Sequence, residues 1–272
     1  MATVQRRKVP NKTPARPPCG MPVHASVDIG VLRHINLCNK LLAECYSWLQ
    51  NARGGDETAE AQRVLLLNLG RCLSEATYGM VTLLSHDATG AILVLERAAI
   101  EYYGRASYFM REPEHALWYV KVEHLQVLIE NEATTNEQRM ALIHEISHAR
   151  RKYAELTPEA RGAAGKQPFN KVRISDMIRI GLGEEAAKRY ASASKVLHGD
   201  LYSSFLMVSR APEAVNGAVL EAASGIVAFC NLMLTWLPRA PNGLTERILL
   251  AEEETCRLGR RYGRAFLIEA VG

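Results

Sequence analysis

The sequence predicts an all-α protein, a multi-helix bundle with essentially no sheet. Apolar residues recur at spacings of three and four along nearly the whole chain, the period of a helix with one buried face. No run alternates with period two, as a half-buried strand would. Helix start and stop residues fall at the joints between the periodic segments.

The elements follow in order. A first helix is expected over 24–50, ended by Gly54-Gly55. A second over 57–86 starts behind Asp56, and a third over 88–110 behind Asp87; both side chains suit an N-cap. Pro113 sits just inside the start of a fourth at 113–132. Thr135 opens a fifth at 135–156. A shorter helical turn over 175–181 precedes a helix at 184–198, which Gly199 stops. Another short turn is expected over 201–209. A long apolar helix at 212–237 ends before Pro238 and Pro241, and a last one spans 244–267.

The 272 residues are divided into a leader, 1–23, and a single α-helical domain, 24–272. Hydrophobic residues make up 48% and charged residues 23%, ordinary globular values that supply a sizeable core. The leader carries Arg6, Arg7, Lys8, Lys12 and Arg16, no acid, and five prolines, which reads as a disordered basic tail. Of the net charge of +4, the rest of the chain therefore contributes −1. The domain lacks the overall basic excess of a dedicated nucleic-acid binder, so contact with RNA would have to be local. Residues 157–174 lose the helical period and carry Pro158, Gly162, Gly165 and Pro168, which predicts a flexible basic loop.

The six cysteines form no Cys-x-x-Cys pair, and several lie on apolar helical faces. Reduced, buried thiols and a cytoplasmic location are expected, with no disulfide framework. No apolar secretory segment opens the chain. Val215–Leu237 is long enough to cross a membrane, but Asn216, Glu221 and Asn231 within it favour a buried core helix.

Two polar constellations interrupt this pattern. The third helix is apolar around most of its circumference, yet Arg97, Glu101 and Arg105 recur at i, i+4 and i+8, placing one carboxylate between two guanidiniums. Burying charges costs several kcal/mol per ion unless they pair. The stripe is therefore either an ion-pair network that fixes register or the wall of a polar pocket. In the second, Tyr190, Ser194 and His198 share the i, i+4, i+8 face of the helix that Gly199 ends. There His198 is a cap, a core residue or a general base.

These segments carry a resemblance. Leu95, Arg97 and Glu101, then Pro113-Glu114, then Tyr190, Ser194, His198 and Gly199 resemble the pattern of the bacterial family catalogued as domain of unknown function 5677, over about residues 25–240. The resemblance implies a helical bundle in which Arg97, Glu101 and His198 converge. More distantly, the chain resembles HEPN helical bundles, many of them metal-independent ribonucleases of defence systems that act as dimers through an Arg and a His four to six residues apart. This chain departs from that spacing: Arg189 lies nine positions before His198, so Arg97 on another helix would have to supply the cation. Arg139 and His144 match the spacing but lie in a charged helix.

Two further features have chemical readings. His144-Glu145-Ile146-Ser147-His148 has zinc-protease spacing, with two imidazoles on one helical face and Glu145 as base. Its flanks, Arg150, Arg151 and Lys152, are charged, and the ordinary reading is a solvated face. Arg257, Arg260, Arg261 and Arg264 line one face of the last helix after Glu252, Glu253 and Glu254, which is a solvated face, a subunit contact or a phosphate strip.

The expected functional centre is therefore His198, Arg97 and Glu101 as catalytic residues, with Arg105, Tyr190 and Ser194 binding. No cofactor is expected, and RNA, a protein partner or a second copy are the expected partners. An RNA-binding or ribonuclease reading stands against a non-enzymatic interaction module and against a zinc hydrolase through His144, Glu145 and His148.

Overall fold

The computed structural model describes residues 27–85, 89–131, 135–156, 172–197, 211–236 and 243–262. Among these, every regular element is an α-helix and none is a strand. In chain order they are α1 (Ile29–Asn51), α2 (Glu57–Ser85), α3 (Thr89–Arg111), α4 (Pro113–Asn131), α5 (Asn136–Leu156), α6 (Ile174–Leu182), α7 (Glu184–Leu197), α8 (Ala211–Leu234) and α9 (Leu244–Arg261). Residues 1–23, most of the 157–174 segment and the 201–209 turn lie outside the described residues.

Local chemistry explains most of the boundaries. The backbone N–H of Ala59 donates to Asp56 Oδ1 at 2.7 Å at the start of α2. Thr135 and Gln138 exchange backbone-to-side-chain bonds at 3.2 Å before α5, a reciprocal capping box. Two ends depart most from expectation: α9 stops at Arg261, capped at Tyr262, and not at 267, and α1 begins at Ile29 and not at 24. At α1 the reason is Asp28: its carboxylate accepts from Gly30 N at 2.7 Å and caps the helix there. At the far end of the fold, Asp28 also accepts from the Tyr262 hydroxyl at 2.8 Å and pairs with Arg261 at 2.7 Å. These two bonds and the Gly30 amide hold its carboxyl below the usual range.

The core is organised around α8. Its residues from Val215 to Cys230 are buried, and it packs against α1, α2, α3 and α9. The stretch Glu213–Leu234 is long and apolar enough to cross a membrane, but 83% of its most apolar window is buried inside the bundle. Helices α1 and α9 run antiparallel, as three successive contacts show: Asp28 with Tyr262, His34 Nε2 with Thr255 Oγ1 at 2.6 Å, and Glu44 with Arg247 at 2.6 Å. Cys38, Cys45 and Cys230 are buried free thiols, and burial pushes Cys38 up to about 12.

Two glycines set the approach of α6 to α3. A Cβ on Gly104 would lie 2.6 Å from Ile178 Cγ1, and one on Gly181 would lie 2.7 Å from the Gly104 carbonyl oxygen and 2.9 Å from Tyr108 N. The helices touch backbone to backbone there. Gly183, at φ 91°, then turns the chain directly from α6 into α7. This short joint lays α7 along α3, and it positions the polar site.

Candidate functional site

The stripe on α3 forms as its spacing predicts. Glu101 lies between the two guanidiniums, 3.8 Å from Arg97 and 3.9 Å from Arg105. Their side chains are 28% (Arg97), 15% (Glu101) and 21% (Arg105) exposed, so the network is neither sealed nor fully solvated. Both ion pairs are long, and the tighter bonds run to other helices.

Arg97 reaches α7. Its Nε donates to Ser194 Oγ at 2.8 Å, and its Nη2 donates to the Tyr190 hydroxyl at 2.7 Å. The guanidinium carbon sits 4.8 Å from the centroid of the Tyr190 ring, within range of a cation–π contact. The Tyr190 hydroxyl donates in turn to Glu101 Oε2 at 3.3 Å, closing a ring of contacts. Burial is the first cause that raises the Tyr190 phenol above its ordinary value, and the Glu101 carboxylate adds to it. The phenol therefore stays protonated, accepting from Arg97 and donating to Glu101. Ser194 Oγ donates to the Tyr190 carbonyl at 2.8 Å. With its proton on a carbonyl and its lone pair facing a cation, Ser194 is a holder of Arg97 and not an activated nucleophile.

Arg105 reaches α4 instead. Its Nη2 donates to the Tyr119 hydroxyl at 3.0 Å, while its Nε is buried without a partner among the described residues. Tyr119 belongs to an aromatic layer in which its ring lies 5.0 Å from Phe109 and 6.4 Å from Tyr153. Burial pushes the Tyr153 phenol up to about 12. Sequence reasoning missed Tyr119, because nothing in the spacing of α4 marks it as the partner of a residue on α3.

Arg97, Glu101, Tyr190 and Ser194 thus meet, and Arg105 joins them through Glu101. His198 lies outside the described residues, as do Gly199, Asp200 and Tyr202. The neighbouring face of α7 carries a second cross-helix pair that sequence reasoning did not assemble. Arg189 Nη1 donates to both carboxylate oxygens of Glu221 on α8, at 2.9 and 3.1 Å, and the Glu221 side chain is 0% exposed. An acid in the middle of an apolar stretch was its only signal.

The remaining candidates are dispersed. His144, Glu145 and His148 are exposed on α5 and border a groove against α4. Among the described residues, no group of three or more His, Cys, Asp or Glu is arranged to hold a metal ion. On α9, Arg257 is paired with Glu254 at 2.6 Å and Arg261 with Asp28, so two members of the arginine face are already engaged; Arg264 lies outside the described residues.

The chain matches no family model, no curated protein and no solved structure. The geometry around Arg97 is therefore what a functional reading rests on. It offers a guanidinium held rigidly by three polar groups at the rim of a bundle, beside a second arginine. Fixed, partly desolvated cations of this kind favour a phosphate or carboxylate.

Proposed function

We propose that the protein binds RNA through Arg97 and Arg105 and cleaves it without a metal, with His198 as the base. One observation carries this reading: Arg97 of α3 is bonded to Tyr190 and Ser194 of α7, and His198 follows Ser194 by four positions in the sequence. A cation supplied from α3 is what the departure from the HEPN-like spacing requires.

In this reaction His198 takes the proton from a 2′-hydroxyl, and the oxygen attacks the adjacent phosphorus. The bond to the 5′-oxygen breaks, that oxygen takes a proton from water, and His198 returns its own to solvent, giving a cyclic phosphate and a free 5′-hydroxyl. Arg97 neutralises the charge that accumulates on the phosphoryl oxygens. Glu101 and Tyr190 hold Arg97 in place and do not touch the substrate. The distant resemblance to HEPN bundles, many of them metal-independent ribonucleases of defence systems, motivates this reading.

The test is an RNA-cleavage assay in EDTA comparing wild type, His198→Ala and Arg97→Ala. Cleavage that persists in EDTA and disappears in both variants supports the reading. Absence of cleavage by folded wild-type protein overturns it. The second reading would then stand, an interaction module in which the stripe fixes helix register. The mutual satisfaction of Arg97, Glu101, Tyr190 and Ser194 favours that alternative, since a helix clamp needs nothing more.

A further inference from the structure

Helix α5 packs mainly on α4, around a small apolar cluster of their own: Val122, Ile146 and Ala149. Trp118, Leu125 and Ile129 pack partly buried against that cluster. Beside it lies an open groove of about 520 Å³, within the range of small-molecule sites. Its floor is mainly apolar and includes Trp118. Its polar lining is Lys121 and His124 from α4, and His144, Glu145 and His148 from α5. The Lys121 ammonium stands 5.1 Å from the Trp118 ring centroid, and the His148 ring meets the indole edge-on at 5.9 Å and 77°.

The chemistry is that of an aromatic platform ringed by hydrogen-bond donors. The indole in this open groove offers area for a planar ring to stack on once the Lys121 ammonium, which lies over it, swings outward to a phosphate. A lysine donates to phosphate oxygens as a point charge, and each imidazole adds an N–H. The acids nearby are few: Glu145 in the lining, and Glu57 of α2, which binds Lys121 at 2.8 Å but is 77% exposed and easily displaced. A metal ion is the less fitting occupant, since no trio of ligands is arranged for one among the described residues.

We propose that this groove is a nucleotide site, with the base against Trp118 and the phosphate against Lys121, His144 and His148. The ligand is either a free mononucleotide or one nucleotide of a strand, and the proposal stands apart from any role of Arg97.

The experiment follows Trp118 fluorescence in Trp48→Phe/Trp236→Phe protein, which leaves Trp118 as the sole indole. Adenosine monophosphate, inorganic phosphate and a short oligoadenylate are titrated in EDTA. Saturable quenching by the monophosphate, with phosphate alone giving none, is the expected result. Quenching by the oligoadenylate that is tighter than by the monophosphate and weakens likewise in Lys121→Gln identifies a strand in the groove, and equal binding a free nucleotide. Calorimetry on otherwise wild-type protein should show binding lost in Trp118→Leu and weakened about tenfold in Lys121→Gln and in His144→Gln, each an interaction of the size of one charge-assisted bond. The titration reads Trp118 and the cleavage assay reads product, so a failure here and a failure of RNA cleavage are separately visible. No saturable binding at millimolar nucleotide, binding insensitive to Trp118→Leu, or binding that appears only when zinc replaces EDTA would each overturn the proposal.

Discussion

Arg97 on α3 donates to Ser194 on α7 across 2.8 Å, one of two bonds by which its guanidinium ties those helices in a four-residue ring. The same guanidinium bonds Tyr190 at 2.7 Å, so its two donors are fixed by residues one helical turn apart. Arg97→Ala removes both bonds and the cation–π contact. Bonds to a charged group contribute about 1.5–3 kcal/mol each when buried. At 28% exposure the combined loss should be about 1–3 kcal/mol, read as a lower urea midpoint at unchanged slope. Arg97→Lys should recover less than half of it, because an ammonium cannot present the same planar pair of donors. An unaltered midpoint in Arg97→Ala would remove the clamp from the account of stability.

The contact of Gly181 with the Gly104 carbonyl leads to a second prediction. Gly181→Ala places a methyl 2.7 Å from backbone oxygen, which has no rotamer to yield with, and should cost about 1–3 kcal/mol through overpacking. Gly104→Ala meets Ile178 Cγ1 at 2.6 Å, a side-chain atom. A double-mutant cycle separates the two cases. Ile178→Ala should relieve part of the Gly104→Ala penalty and none of the Gly181→Ala penalty.

The helices and the two polar stripes were legible in the sequence for one reason: both are periodic within a single element. Arg97, Glu101 and Arg105 announced a shared face, as did Tyr190 and Ser194, and capping residues such as Asp56 and Thr135 marked starts to within a residue or two. Asp28 was passed over as a cap, because apolar residues before it extended the apparent period. What spacing cannot carry is the rotation of one helix about its axis relative to another. Tyr119 under Arg105, Gly104 against Gly181 and Arg189 on Glu221 are facts of that rotation. They are fixed by the packing of whole faces, to which each residue adds little.

His34 gives the fold a dependence on pH. Its ring is 3% exposed between α1 and α9, bonded to Thr255, with Nδ1 buried and unpartnered among the described residues. Burial, the first cause, lowers it below the ordinary imidazole range against the pull of Glu254. The unfolded imidazole takes up a proton at about pH 6.5, where the folded one stays neutral. Between the folded and unfolded values the unfolded chain binds more protons, so stability rises with pH there. The stabilising term is complete above about pH 6.5 and is lost as pH falls through the folded value. Urea midpoints should therefore drop between about pH 7.5 and 5.5, and His34→Gln, which keeps a donor toward Thr255, should flatten that slope. An equally steep slope in the variant would assign the pH dependence to other groups.

The pair of Arg189 and Glu221 makes the sharpest prediction about how α7 is held. One face of α7 is tied to α3 through Tyr190 and Ser194, and the neighbouring face to the core helix α8 through Arg189. The Glu221 carboxylate is 0% exposed, and removing the guanidinium that pairs with a buried charge costs more than the pair contributes. Arg189→Ala should therefore destabilise the protein by about 3–5 kcal/mol. Glu221→Leu leaves the guanidinium, 24% exposed and 3.9 Å from Glu185, with water and a second carboxylate within reach, and should cost less. The double variant Arg189→Met/Glu221→Leu removes both charges and should recover most of the stability lost in Arg189→Ala. If α7 is held by this pair, amide exchange along Glu184–Leu197 should quicken in Arg189→Ala and return toward wild type in the double variant, while α1 and α9 keep their protection. Exchange that quickened uniformly through all the helices would mean that the pair stabilises the bundle as a whole and does not hold α7 in particular.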